Sequence, residues 1–361
     1  MSDVGELKQY IEVHARAQRI PDTDRRRILD RITDDGSGPG SWAHEWTRAG
    51  EELERAGRVQ DAVRHFTIAR FPYVDGPARQ EAADRGAAAF DRWRREDAPV
   101  IEPLAVETDG GTVHAWTAGL STRDPKPLLL FSGGIVSTKE QWAPVLLQVA
   151  RLGMAGLVTE LPGVGSNTLV YGPDSHRLYP ALLDAVADRA QVDQSYAVAL
   201  SFSGHLALRA ALGDPRIRGI VTAGAPLHHF FTDEAWQQQI PRITVDTLAH
   251  LSGVKPAELG THIRDWALTE ADLAALDIPL AYLVSGRDEI VPPGEVPLLR
   301  RTVRDLSLLV NDDVHGSPRH AGETPLWVVL SVLRMRGVRD PRRALFGALW
   351  RLARLRARRA G

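Results

Sequence analysis

Short apolar runs alternate with helical stretches from about residue 99 onward, and this pattern predicts an α/β fold. Each run ends in a polar or glycine-rich stretch: "PLLLFSGG", "AGLVTELPG", "SYAVALS", "GIVTAGAP", "LAYLVSGRD" and "LSLLVNDD". Strands buried on both faces of a parallel sheet need continuous apolar runs of this kind. A hairpin precedes them, with the turn residues Asp109 to Gly111. We therefore expect a doubly wound, mostly parallel sheet within a catalytic domain over residues 99–361.

Residues 1–98 carry a different pattern, with apolar positions at helical spacing and no strand signal. We expect an all-helical cap domain there. The spacing of small and large residues between Trp46 and Ala69 is like that of one tetratricopeptide hairpin, but a generic helical hairpin is favoured because such repeats need about three copies. The segment over about 227–277 is too long for a simple crossover, and we expect one crossover helix plus a lid.

The C-terminal stretch "DPRRALFGALWRLARLRARRAG" predicts a basic amphipathic helix with Leu345, Leu349 and Leu352 on one side. We expect this helix to pack on the sheet of its own chain and to end in a solvated, arginine-rich tail. Binding to a membrane surface or to a partner is the alternative.

Composition narrows the function classes. The formal net charge of −2 over 361 residues gives no general attraction to nucleic acid, and the absence of cysteine excludes thiolate nucleophiles and disulfides. Neither a signal-peptide core nor an apolar run long enough for a membrane span is present in the sequence. We expect a cytoplasmic protein with a small-molecule substrate, no nucleic-acid or membrane partner, and a possible homodimer. No phosphate loop or metal-ligand spacing occurs, so no cofactor and no metal are predicted.

The stretch "AVALSFSGHLALRAA" predicts a strand that breaks at Ser201 and restarts as a helix. A serine nucleophile on such a turn needs small residues two positions before and after it, because the strand and the helix pass close together. Ala199 and Ser203 meet that need. If Ser203 were the nucleophile, the bulky His205 would occupy the second of these positions. We predict Ser201 as the nucleophile, with Ser203 or a purely structural turn as alternatives.

Two further strand ends supply the partners of a triad. Asp288 follows the strand in "LVSGRDEIVP", and His315 lies on the loop in "LSLLVNDDVHGSPRH". The chain order Ser, Asp, His is that of α/β hydrolases. We predict Asp288 and His315 as the other catalytic residues. His320 is the alternative base, and Asp312 and Asp313 are the alternative acids.

Other strand-end residues are candidates for oxyanion and substrate binding. The oxyanion hole is predicted to form from the backbone of Phe202 and from that of Gly134 and Ile135 in the glycine-rich loop, with the N–H groups of Phe202 and Ile135 as donors. Glu160, His228 and His229 are predicted to bind substrate.

The motifs "GGIVSTKEQW", "ELPGVGS", "ALSFSGHLALRAA" and "SGRDEIVP" resemble the α/β hydrolases that include 2,6-dihydroxypseudooxynicotine hydrolase and the fermentation-respiration switch esterase-like proteins. The resemblance covers roughly residues 40–335. It implies an active site between a helical domain and a hydrolase domain, and cleavage of esters or of carbon–carbon bonds next to a ketone. The sequence departs from the pattern at Val136, where an acidic residue is frequent, at Ala199 for glycine, and at Glu160 for aspartate.

The leading hypothesis is a serine hydrolase of secondary metabolism that cleaves a small aromatic or polyketide-like ester or ketone. A lyase is the alternative, since α/β-hydrolase-like enzymes of spirotetronate assembly are similar in build and expel acetate from an acetylated ring. In a lyase His315 would act mainly as a base. A non-catalytic binding module built on the helical domain is the second alternative.

Overall fold

A single twisted sheet organises the chain in the computed structural model, which describes residues 3–360 and the side chains of residues 3–356. The strands of the described chain run in the order β1-β2-β4-β3-β5-β6-β7-β8. Pairs β1–β2 and β2–β4 are antiparallel, and all other pairs are parallel. The strands are β1 Glu102–Thr108, β2 Gly111–Ala118, β3 Pro127–Ser132, β4 Ala155–Thr159, β5 Gln191–Leu200, β6 Ile217–Ala223, β7 Leu280–Ser285 and β8 Leu306–Asn311.

This arrangement is the α/β-hydrolase fold, and the predicted hairpin and mostly parallel sheet are confirmed. Neighbouring residues of β5 show why the strands of this sheet carry continuous apolar runs. Ala197 and Ala199 belong to the core on one face, whereas Tyr196 and Val198 belong to the core on the other. Both faces are thus covered, as the period of a strand requires.

The helices of residues 3–360 fall into three groups: five before the sheet, five in the insertion after β6, and the others between or after strands. Their bounds are α1 Val4–Ala17, α2 Asp22–Leu29, α3 Trp42–Arg55, α4 Val59–Ala69, α5 Pro77–Asp97, α6 Lys139–Trp142, α7 Leu146–Val149, α8 Leu178–Ala185, α9 Phe202–Gly213, α10 His229–Thr232, α11 Glu234–Gln237, α12 Arg242–Ser252, α13 Leu259–Ile263, α14 Glu270–Ala275, α15 Glu295–Thr302, α16 Thr324–Met335 and α17 Pro341–Ala360.

The N-terminal helices share their apolar core with the rest of the molecule. Phe66 and Phe90, on α4 and α5, belong to the cluster that covers one face of the sheet, and the ring of Phe90 lies 5.0 Å from that of Trp116. A separate cluster joins Trp42 of α3 to Ile243 of the insertion. Helices α1 to α5 thus contact both the sheet and the insertion, while their division from the sheet as a separate domain at residues 98 and 99 stays a prediction.

The insertion after β6 is more divided than one crossover helix plus a lid. It contains α10 to α14, of which α12 is the longest with 11 residues. The carboxylate of Glu295 fixes the first residues of the insertion. It accepts hydrogen bonds from the backbone N–H groups of Leu227, His228 and Phe230. Because Glu295 is almost fully buried, burial outweighs these hydrogen bonds and raises the pKa of this carboxyl above its usual range.

The terminal helix α17 forms as expected, and it packs through its aromatic side chains. Phe346 and Trp350 pack against the core, whereas Leu345, Leu349 and Leu352 are 57%, 41% and 46% exposed. The helix therefore contacts the rest of the chain through the two aromatic side chains and not through the leucine row. The two aromatic side chains also lie four residues apart, so they form a second apolar row that buries a larger surface. Among the described residues, no helix is long and apolar enough to cross a membrane.

Candidate active site

Ser201 lies on the sharp turn between β5 and α9. Its backbone has φ 54° and ψ −128°, a strained conformation for a residue other than glycine, and its N–H donates to the carbonyl of Ala223 at 2.8 Å. The strand and the helix pass close together here, since a Cβ atom on Gly204 would lie 3.1 Å from the carbonyl oxygen of Ala199. Small residues around Ser201 permit this approach.

Three predicted residues form one hydrogen-bonded row. Oγ of Ser201 lies 3.1 Å from Nε2 of His315, and Nδ1 of His315 lies 3.0 Å from each carboxylate oxygen of Asp288. The carboxylate is itself oriented, because its Oδ1 accepts the backbone N–H groups of Ile290 and Val291 at 3.0 and 2.8 Å. The nucleophile, base and orienting acid of a serine hydrolase need this geometry.

The four residues that the sequence left as alternative triad members form their hydrogen bonds and ion pairs with other residues. Ser203 is fully buried and donates to a backbone carbonyl, while the three others form ion pairs or hydrogen bonds outside the row. The partners are Gly133 for Ser203, Glu323 for His320, Arg287 for Asp312 and Arg319 for Asp313. The structure does not bring any of these four to Ser201 in place of His315 or Asp288.

Charges around His315 favour its protonated form. Burial lowers the pKa of this imidazole, but the carboxylates of Asp288 and Glu289 outweigh burial and raise the pKa above its ordinary value. The backbone also approaches closely, because a Cβ atom on Gly224, which has φ 60°, would lie 2.8 Å from Cε1 of His315. A residue with a side chain at position 224 would displace the imidazole.

The predicted oxyanion donors flank Ser201. Phe202 is the first residue of α9, where a backbone N–H has no acceptor within the helix. On the other side, a Cβ atom on Gly134 would lie 3.3 Å from Cβ of Ser201, so the loop that continues to Ile135 contacts the serine. The assignment of the Phe202 and Ile135 N–H groups to an oxyanion stays a prediction.

Glu160 has its carboxylate occupied by protein donors. The side chain is fully buried, Oε2 accepts the N–H of Lys139 at 2.8 Å, and Oε1 accepts the N–H of Ser166 at 2.8 Å and Nζ of Lys139 at 3.0 Å. The ammonium of Lys139 also lies 2.9 Å from Glu140. This cluster joins the loops after β3 and β4, and both oxygens of Glu160 accept donors of the protein itself. The predicted contact of Glu160 with substrate stays a prediction.

The side chains of His228 and His229, in the insertion, contact other residues of the protein. Nδ1 of His228 lies 2.9 Å from the carbonyl oxygen of Leu268, and the ring of His229 lies against Gly294. Neither ring is hydrogen-bonded to Ser201, Asp288 or His315. Their contact with substrate stays a prediction.

Sequence reasoning missed two residues from the helical region near the site. Helix α1 covers the loop after His315, since a Cβ atom on Gly316 would lie 3.1 Å from Val13. On this helix, burial, together with the charges of His315 and Arg70, lowers the pKa of His14 to about 4. Arg70 follows α4 and donates to the carbonyl of Val136, next to Ile135. The sequence signal for Arg70 is a charge directly after a mostly apolar helix end, "FTIA".

Metal chemistry has no candidate cluster in the part of the chain that the structure describes. No group of three His, Asp or Glu side chains there could hold a metal ion.

Comparisons with known proteins agree with this architecture. The sequence model of the family described as "Esterase FrsA-like" matches residues 9–279. Esterase FrsA of Photobacterium profundum is 24% identical over 340 residues, covering 86% of this chain and 80% of its own length. Esterase FrsA of Pectobacterium atrosepticum is 25% identical over 335 residues, covering 85% and 76%.

Two solved structures are similar over most of the chain. AbyA5 is 55% identical, with a TM-score of 0.93 over 97% of this chain and 99% of its own. The 2,6-dihydroxy-pseudo-oxynicotine hydrolase is 21% identical, with a TM-score of 0.70 over 89% and 96%. The second likeness shows the fold alone.

Proposed function

The chain belongs to the FrsA-like esterase family, and from that membership and the row of Ser201, His315 and Asp288 we propose a Ser-His-Asp hydrolase. Its proposed substrates are small aromatic or polyketide-like esters, or ketones cleaved at the neighbouring carbon–carbon bond. The observation that carries the proposal is the 3.1 Å contact between Oγ of Ser201 and Nε2 of His315. The aromatic or polyketide-like character rests on the motif resemblance alone.

The first half of the proposed reaction forms an acyl-enzyme. Oγ of Ser201 attacks the substrate carbonyl carbon while Nε2 of His315 takes the hydroxyl proton, and Asp288 stabilises the imidazolium that results. The N–H groups of Phe202 and Ile135 stabilise the oxyanion of the tetrahedral intermediate. When the intermediate collapses, the bond to the leaving group breaks, and His315 donates its proton to the leaving oxygen or carbon.

The second half returns the enzyme to its starting state. Water attacks the acyl group on Ser201 and gives its proton to His315. The second tetrahedral intermediate collapses, the bond to Oγ breaks, and Oγ recovers the proton from His315. The acid product carries one oxygen atom from water.

Elimination of an acyl group is the second candidate, and the raised pKa of His315 favours it. An imidazole whose pKa is raised is a stronger base toward a proton on carbon. In elimination His315 removes a proton from carbon, a carbon–carbon double bond forms as the bond from carbon to the acyloxy oxygen breaks, and the leaving carboxylate keeps both of its oxygens.

Labelling of the serine tests the proposed nucleophile directly. A fluorophosphonate probe should modify Ser201 in the intact chain and should fail to modify the Ser201→Ala variant. Ser203→Ala is the matched control, because Ser203 lies on the same turn but donates to a carbonyl. Labelling that persists in Ser201→Ala and disappears in Ser203→Ala would overturn the assignment.

A further inference from the structure

Arg70 is a buried cation without a direct counter-ion. Its side chain is 2% exposed, and it donates only to the backbone carbonyls of Val136 and, at 3.4 Å, Pro72. Its Nε has no hydrogen-bond partner, and among the described residues Glu160 and Glu140 act on it only through space. A guanidinium carries five N–H donors, so most of its capacity to bind an anion is unused.

Arg79 shows how the same region satisfies a buried arginine. It is 4% exposed, yet its guanidinium contacts Asp35 at 2.6 Å and Asp75 at 2.7 Å, and its Nε donates to the carbonyl of Phe71. Burying a charge without such partners is costly. The cost at Arg70 is explained if a ligand supplies the missing acceptors.

The position of Arg70 connects it to the candidate active site. It donates to the carbonyl of Val136, which is two residues beyond Gly134, and a Cβ atom on Gly134 would lie 3.3 Å from Cβ of Ser201. On the other side, the ring of His14 lies 5.2 Å from that of Phe71. The charges of both Arg70 and His315 act on His14, which lies near each of them. His14 therefore lies near both Arg70 and the triad.

A structural role is the competing explanation. The cluster of Lys139, Glu140 and Glu160 has a net charge of −1, and its carboxylates act on Arg70 through space. Arg70 could serve only to balance that charge. This role does not require the Nε donor to lack an acceptor, nor a contact with the loop that adjoins Ser201.

We propose that Arg70 binds a planar oxyanion of the substrate, either a carboxylate or the enolate of a β-dicarbonyl group. His14, which burial keeps neutral, borders the same anion. The proposal rests on the proposed function for the reacting part of the substrate. It adds that the substrate is anionic, with its charge a few atoms from the carbonyl that Ser201 attacks. Two N–H groups of a guanidinium match the two oxygens of such a group.

Selectivity between two esters tests this proposal. Mono-p-nitrophenyl glutarate carries a distal carboxylate, and p-nitrophenyl valerate is its neutral counterpart of similar length. The wild-type ratio of kcat/KM should favour glutarate, and Arg70→Met should lower that ratio by about tenfold or more, as loss of a charge-assisted hydrogen bond implies. Arg70→Lys should give an intermediate ratio. Arg64→Met is the matched control, because it removes a cation from α4 that pairs with Asp61.

A binding measurement separates this proposal from the proposed hydrolase. Calorimetric titration with glutarate, and with neutral dimethyl glutarate as the control, requires no turnover. Arg70-dependent binding of glutarate would support the anion site even if no ester were cleaved. Ester cleavage with a ratio unchanged in Arg70→Met, and no binding of glutarate, would overturn the anion site and leave the hydrolase standing. If Arg70→Met lowers the stability of the protein but changes neither the selectivity ratio nor the binding of glutarate, the role of Arg70 is charge balance.

Discussion

The backbone N–H of His315 donates to Oε2 of Glu289 at 3.0 Å, so the imidazole that faces Ser201 has a second carboxylate close to it besides Asp288. Asp288 contacts the ring itself, and Glu289 contacts the backbone of the same residue. Both negative charges stabilise the imidazolium relative to the neutral ring. The fold therefore tunes the base with two consecutive acidic residues of one loop.

The pH dependence of kcat/KM should show this tuning. Only neutral His315 can accept the proton of Ser201, and its pKa is raised above the ordinary value of 6.5. Activity should therefore be low in acid and should rise through a pH above 6.5. Glu289→Gln keeps an acceptor but removes the charge, so the acidic limb should move to lower pH. Asp312→Asn, which removes a carboxylate paired with Arg287, is the control. An unshifted limb in Glu289→Gln would contradict the role of its charge.

Substitution of the row should abolish turnover without unfolding the chain. Ser201→Ala and His315→Ala should each lower kcat by about four orders of magnitude or more, because members of such a triad act as a unit. His320→Ala is the control, since this imidazole is bonded to Glu323 at 2.6 Å and should matter little for the rate. Circular dichroism verifies the fold of each variant. Near-native rates in both triad variants, or loss of rate in His320→Ala alone, would contradict the assignment of Ser201 and His315 as catalytic residues.

Glu160→Gln should act on stability. Its carboxylate is fully buried against Lys139, whose ammonium is nearly as buried, so the substitution removes one partner from an enclosed ion pair. We expect the free energy of unfolding to fall by about 3 kcal/mol, as measured by urea denaturation. Glu270→Gln, which breaks an exposed pair with Arg301, should leave the midpoint unchanged. A stable Glu160→Gln variant with a raised KM would instead support the predicted contact with substrate.

The exposed leucine row of α17 should contribute little to stability in isolation. Leu349 is 41% exposed, whereas Trp350 packs into the core beside α16. Trp350→Ala should lower the free energy of unfolding by about 2 kcal/mol or more, and Leu349→Ala by less than about 1 kcal/mol. Thermal unfolding measures both. An equal or larger loss for Leu349→Ala would mean that this row is covered in solution.

The sheet was predictable because its signals are local. A continuous apolar run such as Leu128 to Phe131 is stable only in a strand whose two faces are both covered by other elements. The polar residues that follow such a run then lie at the carboxyl end of the strand. The row of Ser201, Asp288 and His315 comes from three such ends, so chain order and small neighbours sufficed to select them.

Residues that depend on packing between distant segments were not predictable. Lys139 and Glu160 are 21 positions apart, and a carboxylate after a strand looks the same in sequence whether it faces substrate or a lysine. Arg70 and His14 lie on helices whose approach to the sheet is set by the shapes of buried side chains. On α17, the aromatic and leucine rows compete for one surface, and only their relative areas decide the outcome.

The origin of the oxygen atoms in the released acid distinguishes hydrolysis from elimination, because Ser201 has a different role in each reaction. Hydrolysis passes through an acyl group on its Oγ, and water then supplies one oxygen of the acid. Elimination breaks the bond between carbon and the acyloxy oxygen, so both oxygens of the acid come from the substrate.

Turnover in oxygen-18 water, followed by mass spectrometry of the products, decides between these outcomes. We expect one labelled oxygen in the released acid, and an acyl adduct on Ser201 when a slow ester is used. His315→Ala should abolish both signals, since the imidazole activates the serine and then the water. The control is incubation of the free acid with the enzyme in labelled water, which measures exchange without turnover. An unlabelled acid released together with a new carbon–carbon double bond would refute hydrolysis. It would leave His315 as the base that removes a proton from carbon, and Ser201 as a hydroxyl that orients the imidazole.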